Sequence, residues 1–238
     1  MLNNIDIAGM GKVAGGEYNN INISGMVKIF GDIKANNIEV SGKADSLANM
    51  EVNSIDISGM FKVLGEVKSM ELISSSGSFK VLKSISANKI NISGTLKCLE
   101  GVNFDFIELS GWFKCKKDCE GRKICGEGKI DVEGLLSADE IDIKLLGRSN
   151  VNEIGGENIK IKAGKESPLK IFIFNYKQKN ELICNLIEGD NIEIENTTAK
   201  IVRGNNIIIG RNCKVEKVEY SGELSVAEGS FVKEKISI

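Results

Sequence analysis

Ile21-Asn22-Ile23-Ser24-Gly25-Met26-Val27-Lys28-Ile29-Phe30-Gly31-Asp32-Ile33-Lys34-Ala35-Asn36-Asn37 is one copy of a unit that recurs along the chain. Its key phrase is aliphatic, polar, aliphatic, Ser, Gly. The phrase returns as Ile38-Glu39-Val40-Ser41-Gly42, Ile55-Asp56-Ile57-Ser58-Gly59, Ile90-Asn91-Ile92-Ser93-Gly94 and Ile107-Glu108-Leu109-Ser110-Gly111, with a looser copy at Ile73-Ser74-Ser75-Ser76-Gly77. The closing glycines, Gly25, Gly42, Gly59, Gly77, Gly94 and Gly111, are evenly spaced to within a single position. A fixed period of this length is the signature of a solenoid.

With each repeat glycine as zero, position +2 holds Val27, Ala44, Phe61, Phe79, Leu96 and Phe113, and position +4 holds Ile29, Ser46, Val63, Val81, Cys98 and Cys115. Position +8 holds Ile33, Met50, Val67, Ile85, Val102 and Cys119. Alternation with period two means strand, and here it restarts about every six residues. Each repeat therefore divides into three short strands joined by corners, the arithmetic of an all-β, three-sided parallel β-helix of about 17 residues per coil. Ser-Gly at the phrase end and Asn19, Asn36, Asn53, Asn88 or Asp105 at position −6 are expected at corners, where left-handed backbone is tolerated. Outward position +3 carries Lys12, Lys28, Lys62, Lys80, Lys97 and Lys114, with Asp45 as the exception. Position −3 carries Asp6, Asn22, Glu39, Asp56, Asn91 and Glu108. Stacking would turn the first set into a lysine stripe and the second into an acidic-to-amide stripe.

After Gly111 the pattern loosens. Ile130-Asp131-Val132-Glu133-Gly134 restores it after a longer step, so a bulging corner loop is expected near 116–123. Ile141-Asp142-Ile143 adds a strand, and Gly147 to Gly156 is the candidate boundary between a regular segment, 1–147, and a less regular one, 148–238. In the latter, Asn158-Ile159-Lys160-Ile161, Asn191-Ile192-Glu193-Ile194 and Asn206-Ile207-Ile208-Ile209 resemble one another. Val218-Glu219-Tyr220-Ser221-Gly222 echoes the first segment. Leu169–Phe174 and Leu182–Ile187 read as strands around a polar loop, Asn175–Glu181, with Pro168 at a strand start.

Composition narrows the function. The chain of 238 residues has 31 Lys and Arg against 33 Asp and Glu, so no global basic field draws it to nucleic acid. No apolar run is long enough to span a membrane, and Met1-Leu2-Asn3-Asn4-Ile5-Asp6 lacks the form of a signal peptide; a cytoplasmic location with no direct membrane insertion is expected. The complete lack of His removes Ser-His and Cys-His dyads and every His metal site. Left-handed β-helix acyltransferases rely on a catalytic His, and ice-binding β-helices need threonine ladders; Thr95, Thr197 and Thr198 are the only threonines. Asp and Glu are spread along the coils rather than clustered as in polysaccharide lyases.

A triangular β-helix with recurring aliphatic-x-aliphatic-Ser-Gly, over residues 5–143 and again near 189–232, resembles the bactofilins, polymer-forming bacterial cytoskeletal proteins. The resemblance implies a right-handed β-helix that polymerises end to end without nucleotide or cofactor, and a scaffold role in cell shape, cell-envelope organisation or motility. It also implies a homopolymer, or one shared with a paralogous subunit, that reaches membrane or cell-envelope proteins. The usual member is a shorter single β-helix between disordered tails; here two β-helical segments with almost no tail are expected.

The residues at the two termini point the same way. Leu2, Ile5 and Ile7 belong to a repeat-like strand, and Phe231, Val232, Ile236 and Ile238 keep the other terminus apolar, where solenoids ordinarily carry polar caps. Cys115, Cys119 and Cys125 are the sharpest metal candidate, but Cys98, Cys115 and Cys119 fall on inward positions where buried thiols act as small apolar residues; no metal site is expected, and Cys184 and Cys213 read the same way. The lysine stripe, Lys28, Lys62, Lys80, Lys97 and Lys114, suits anionic lipid headgroups, cell-wall precursors or a neighbouring filament, though a solvated face is the simpler reading. Lys116, Lys117, Arg122 and Lys123 beside Trp112 form a basic stretch for a partner. The expectation is a non-enzymatic, self-assembling scaffold. A non-polymerising β-helical binding module is the alternative, and a β-helical carbohydrate-active enzyme is the remoter one.

Overall fold

A computed structural model of the chain describes residues 2–164 and 179–238. Its regular structure is β-strand throughout, with parallel pairing between successive coils, so the chain is an all-β parallel solenoid as the period requires. It comprises two compact units, Met1–Glu120 and Gly121–Ile238.

In the first unit each coil supplies three short runs. One coil reads Lys43–Ser46, then Met50–Ile57, whose inward alternation breaks at Asn53-Ser54 where the strand turns a corner. Ala44, Ser46, Met50, Val52, Ile55 and Ile57 point inward and are buried. The next coils repeat this with the same register, so like stacks on like: Leu96 lies between Phe79 and Phe113, and Cys98 between Val81 and Cys115. The rings of Phe61 and Phe79 stack with centroids 5.5 Å apart. Each buried Ile or Phe contributes about 1.5–3 kcal/mol through removal from water. The interior is therefore a set of continuous aliphatic ladders.

The corners work differently from the sequence expectation. None of the repeat glycines Gly25 to Gly111 has left-handed backbone; among the described residues of this unit that conformation occurs at Gly16 and Gly31. The repeat glycine is needed because successive corners nearly touch. A Cβ on Gly42 would lie 2.1 Å from the Gly25 carbonyl oxygen, and one on Gly94 would lie 2.1 Å from that of Gly77. The asparagines at the other corner are likewise not left-handed. They form a ladder: Asn36 Nδ2 donates to Asn19 Oδ1 at 2.8 Å, and Asn53 Nδ2 to Asn36 Oδ1 at 3.2 Å.

The expected bulging loop near 116–123 is absent. Lys116 and Lys117 form an ordinary bend, and Cys119 opens a strand that runs to Leu145. The corner falls one strand earlier than the sequence phrase suggests: Gly128, not Gly134, holds it. Ile124, Ile130 and Val132 are buried at −4, +2 and +4 from Gly128, whose carbonyl accepts from Leu146 N at 2.8 Å, the same bond that Met26 N makes to Gly9 at 2.9 Å. Gly128 follows Gly111 by one ordinary coil, as Gly111 follows Gly94, so the period never lapses; only the Ser is lost.

The second unit keeps the ladders but varies the coil. Leu182 pairs with Thr197 and Thr198 with Lys214, coils slightly shorter than those of the first unit, whereas Ser149 pairs with Leu182 across twice that length of chain. The long step falls between Ala163 and Leu182. Leu182–Ile194 is a strand, as expected from Leu182–Ile187. The expected strand Leu169–Phe174, the start at Pro168 and most of the loop Asn175–Glu181 lie outside the described residues. Asn180 secures the return: its Oδ1 accepts from Gly147 N at 2.7 Å and its Nδ2 donates to Gly164 O at 3.0 Å. Strand pairing joins Asp131–Val132 to Asn150–Val151 on either side of Gly147. Asn158, Asn191 and Asn206, aligned by sequence likeness, are register partners, and their side chains bond in series at 3.0 and 3.1 Å.

Candidate functional site: assembly edges and a lysine ladder

Of the terminal residues named from sequence, Ile5, Ile7, Phe231, Val232 and Ile236 lie on terminal strands, with Leu2 and Ile238 just beyond them. In the first unit, Leu2 is exposed and Ile5 and Ile7 are half-buried on Asn3–Ile7, a strand that pairs, among the described residues, only with Met10–Ile23. Ile7 folds over Gly11, whose position would otherwise hold an inward side chain. In the second unit, Phe231–Ser237 pairs only with Lys214–Tyr220 among the described residues. Phe231 is 62% exposed and Ile238 68%, while Val232 and Ile236 are half-buried. Among the described residues each of these strands thus has a partner on one side only; Ile5, Ile7 and Val232 continue the buried columns of Ile21, Ile23 and Val215, whereas Phe231 and Ile236 follow the outward residues Lys214 and Glu219.

The lysine stripe is a true ladder. Register places Lys12 beside Lys28, Lys28 beside Asp45, Asp45 beside Lys62, then Lys62, Lys80, Lys97 and Lys114 in unbroken succession. Rungs are roughly 4.8 Å apart. Trp112 lies two positions before Lys114 on the same short strand, and Lys116 and Lys117 follow at the bend. Arg122 and Lys123 belong to the second unit, where Glu140 holds Lys123 and keeps its ammonium pKa raised. The structure therefore joins Trp112 to the lysine ladder rather than to a separate basic loop. The position −3 residues also align coil by coil, from Asp6 through Asn22, Glu39, Asp56, Ser74 and Asn91 to Glu108.

The thiols sit where the repeat puts them. Cys98, Cys115 and Cys119 are fully buried, and no disulfide forms among the described residues. Cys98 Sγ donates to Lys83 O at 2.9 Å and Cys115 Sγ to Glu100 O at 2.8 Å, which satisfies the corner carbonyls. The side-chain hydrogen bond with Cys115, then burial, raise the Cys98 pKa; burial comes first for Cys119. Burial also pushes the Cys184 thiol up to about 12. These three are poor nucleophiles at neutral pH.

In the second unit a shallow depression of about 420 Å³ runs over Glu140, Asp142, Asn158, Lys160, Asn191, Glu193, Asn206 and Ile208. Glu193 is tied to Lys160 and Lys162, and Glu140 to Lys123. Salt-bridged carboxylates, with Glu140 held below its ordinary pKa by Lys123, are suited to cross-coil pairing rather than proton transfer. Among the described residues no helix is long and apolar enough to cross a membrane.

Two features here are not evident in the sequence phrase. One is the apolar border of the ladder, Met26, Met60 and Trp112 before the lysines and Phe30 and Leu47 after them, all exposed. The signal is present at positions +1 and +5 of the repeat. The other, visible only in register, is that several charges outside the ladder meet opposite charges on the neighbouring coil, as in Lys34–Glu51, Lys160–Glu193 and Glu188–Arg203–Glu219, while Glu39–Asp56 and Lys144–Lys162 are single like pairs.

No family model matches the chain, and no solved structure matches it. Two relatives from Bacillus subtilis (strain 168) do. The chain is 40% identical over 103 residues to uncharacterized protein YhbE, covering 43% of this chain and 42% of that one. It is 37% identical over 106 residues to uncharacterized protein YhbF, covering 44% and 42%. The match thus spans less than half the length of each relative.

Proposed function

We propose that the chain is a non-enzymatic scaffold of the bactofilin kind, which assembles with itself through its terminal coils into cytoskeletal polymers. The observation that carries this reading is the pairing of one-sided parallel strands with half-buried apolar residues that continue buried columns, Ile5 and Ile7 on Asn3–Ile7 and Val232 on Phe231–Ser237. Stacking would let the backbone ladder and the aliphatic ladders continue into the next subunit. Completing the burial of the half-buried Ile5, Ile7 and Val232 would add about 1 kcal/mol each. The regular repeat and the absence of His from the sequence support a surface that stacks rather than a pocket that reacts.

Negative-stain microscopy and sedimentation of the purified chain test this. Filaments or sheets are expected. Phe231→Asp or Ile236→Asp should reduce them to short species while the far-ultraviolet circular dichroism stays that of the folded coil, because a charge would sit at the stacking surface. A chain that stays monomeric at high concentration, or filaments indifferent to both substitutions, would overturn the proposal.

A further inference from the structure

The lysine ladder is a long run of like charge. Elsewhere, neighbouring coils set opposite charges side by side, as at Lys34–Glu51 and Glu188–Arg203, or hold a like pair for a single step, as at Glu39–Asp56 and Lys144–Lys162. Lys62, Lys80, Lys97 and Lys114 stack like on like, and among the described residues no carboxylate pairs with any of them. Like charges directly opposite each other destabilise a sheet. A run of like charge through four coils, without compensation inside the fold, marks a place where something outside the fold supplies the compensation. The chain as a whole carries a formal charge of −2. The short-strand face of the first unit carries Lys12, Lys28, Lys43, Lys62, Lys80, Lys97 and Lys114 against Asp45 alone, an excess of six positive charges. At the bend beyond, Lys83, Lys116 and Lys117 stand against Asp32, Glu66, Glu100 and Asp118, a balance of one negative charge that offsets little of the face.

The neighbours of the lysines choose the partner. On the preceding outward position, Met10 is 85% exposed, Met26 and Met60 55%, and Trp112 37%. On the following bend, Phe30 is 43% and Leu47 50% exposed. Leu47, Leu64, Leu82 and Leu99 line that bend coil after coil, each donating its amide to the coil before. A row of cations with apolar side chains along both margins suits the boundary between headgroups and acyl chains. Lysine stems lie along the apolar layer with the ammonium at the phosphates, and Trp and Phe favour that depth. A nucleic acid partner would favour arginine forks and base-stacking aromatics, and this face has no arginine.

We propose that this face is a peripheral docking surface for an anionic lipid bilayer. The molecule lies with its short strands against the headgroups, and lysines on successive rungs, about 4.8 Å apart, meet several lipid phosphates at once. Docking of this kind needs no spanning segment. It is independent of end-to-end stacking, because it uses outward positions along the coils rather than the edges.

Trp112 is the only tryptophan in the chain and stands on the face itself, so its emission reports docking directly. The intact chain is floated with vesicles of phosphatidylcholine, with or without phosphatidylglycerol; flotation, unlike pelleting, is not confounded by self-assembly. Binding is expected on the anionic vesicles alone, with a blue shift of Trp112 emission and release at high salt. Lys62→Glu/Lys97→Glu sets carboxylates beside Lys80 and Lys114, and one also beside Asp45; with the far-ultraviolet circular dichroism of the parent, this variant should bind vesicles at least about tenfold more weakly, with two cations lost at the surface. The Phe231→Asp chain should float as the parent does. Equal flotation on neutral vesicles, an unshifted Trp112, or full binding by the double variant would overturn the proposal. Capture by soluble polyaspartate as tight as by vesicles would overturn it in favour of an acidic protein partner.

Discussion

At Gly59 a Cβ would fall 2.0 Å from the carbonyl oxygen of Gly42. Nothing flexible lies there to move aside, since the obstacle is backbone of the preceding coil. Gly59→Ala should therefore cost about 3 kcal/mol, at the upper end of ordinary overpacking. Gly9, which opens the series, has nothing within 4 Å of the same point, and Gly9→Ala should stay within about 0.5 kcal/mol. Urea midpoints of the two variants check this directly, and equal midpoints would mean that the glycine is kept for conformation alone. The sequence announces these glycines but suggests the wrong reason for them. A residue pattern states which side chain is missing, whereas a steric conflict between residues a whole coil apart exists only once the coils stack. The buried thiols make the opposite case. Cys98, Cys115 and Cys119 are legible as inward residues from period-two alternation alone, because the alternation is local.

A single coil is a weak element; what fixes it is the ladder on each side. The asparagine series shows how polar corners take part. Asn36 donates to Asn19 and accepts from Asn53, so one side chain ties three coils. Asn36→Ala removes both bonds at an exposed corner and should cost about 1 kcal/mol. Hydrogen exchange should quicken in Ile33–Ala35 and Val52 beside it, with Leu96 and Phe113 unaffected; uniform exchange across the unit would count against a local role. The loss of the repeat phrase after Gly111 belongs to this scale too. Ser-Gly becomes Glu127-Gly128, and the phrase alone then suggests a loop that the structure does not contain. Burial of Ile124 and Ile130 restores the period, since inward position, not the corner serine, is what a coil conserves physically.

Each compact unit has interior coils held on both sides and a terminal strand held on one. In a solenoid, stability is close to a sum over neighbours, so strands with one neighbour open first. Amides of Asn3–Ile7 and Phe231–Ser237 should exchange fastest in dilute solution, and those of Ile55, Ile73 and Ile90 and of Ile187 and Val202 slowest. If assembly uses the terminal strands, concentrating the protein should slow exchange at Phe231–Ser237 while the interior stays as it was. Unchanged exchange at that strand under conditions where polymers are visible would place the contact elsewhere. Most of the architecture is legible in the chain itself: solenoid class, inward residues, the lysine and acidic stripes, and the likeness of Asn158, Asn191 and Asn206. All of these follow from repetition, and in a repeat one coil read correctly is every coil read correctly. Tertiary structure alone decided the rest. It assigned the repeat glycines to close approach and the asparagines to side-chain ladders, lengthened the step from Ser149 to Leu182, and set apolar margins beside an uncompensated lysine ladder. These depend on what lies one coil away, which is remote along the chain yet only a single strand spacing away in space.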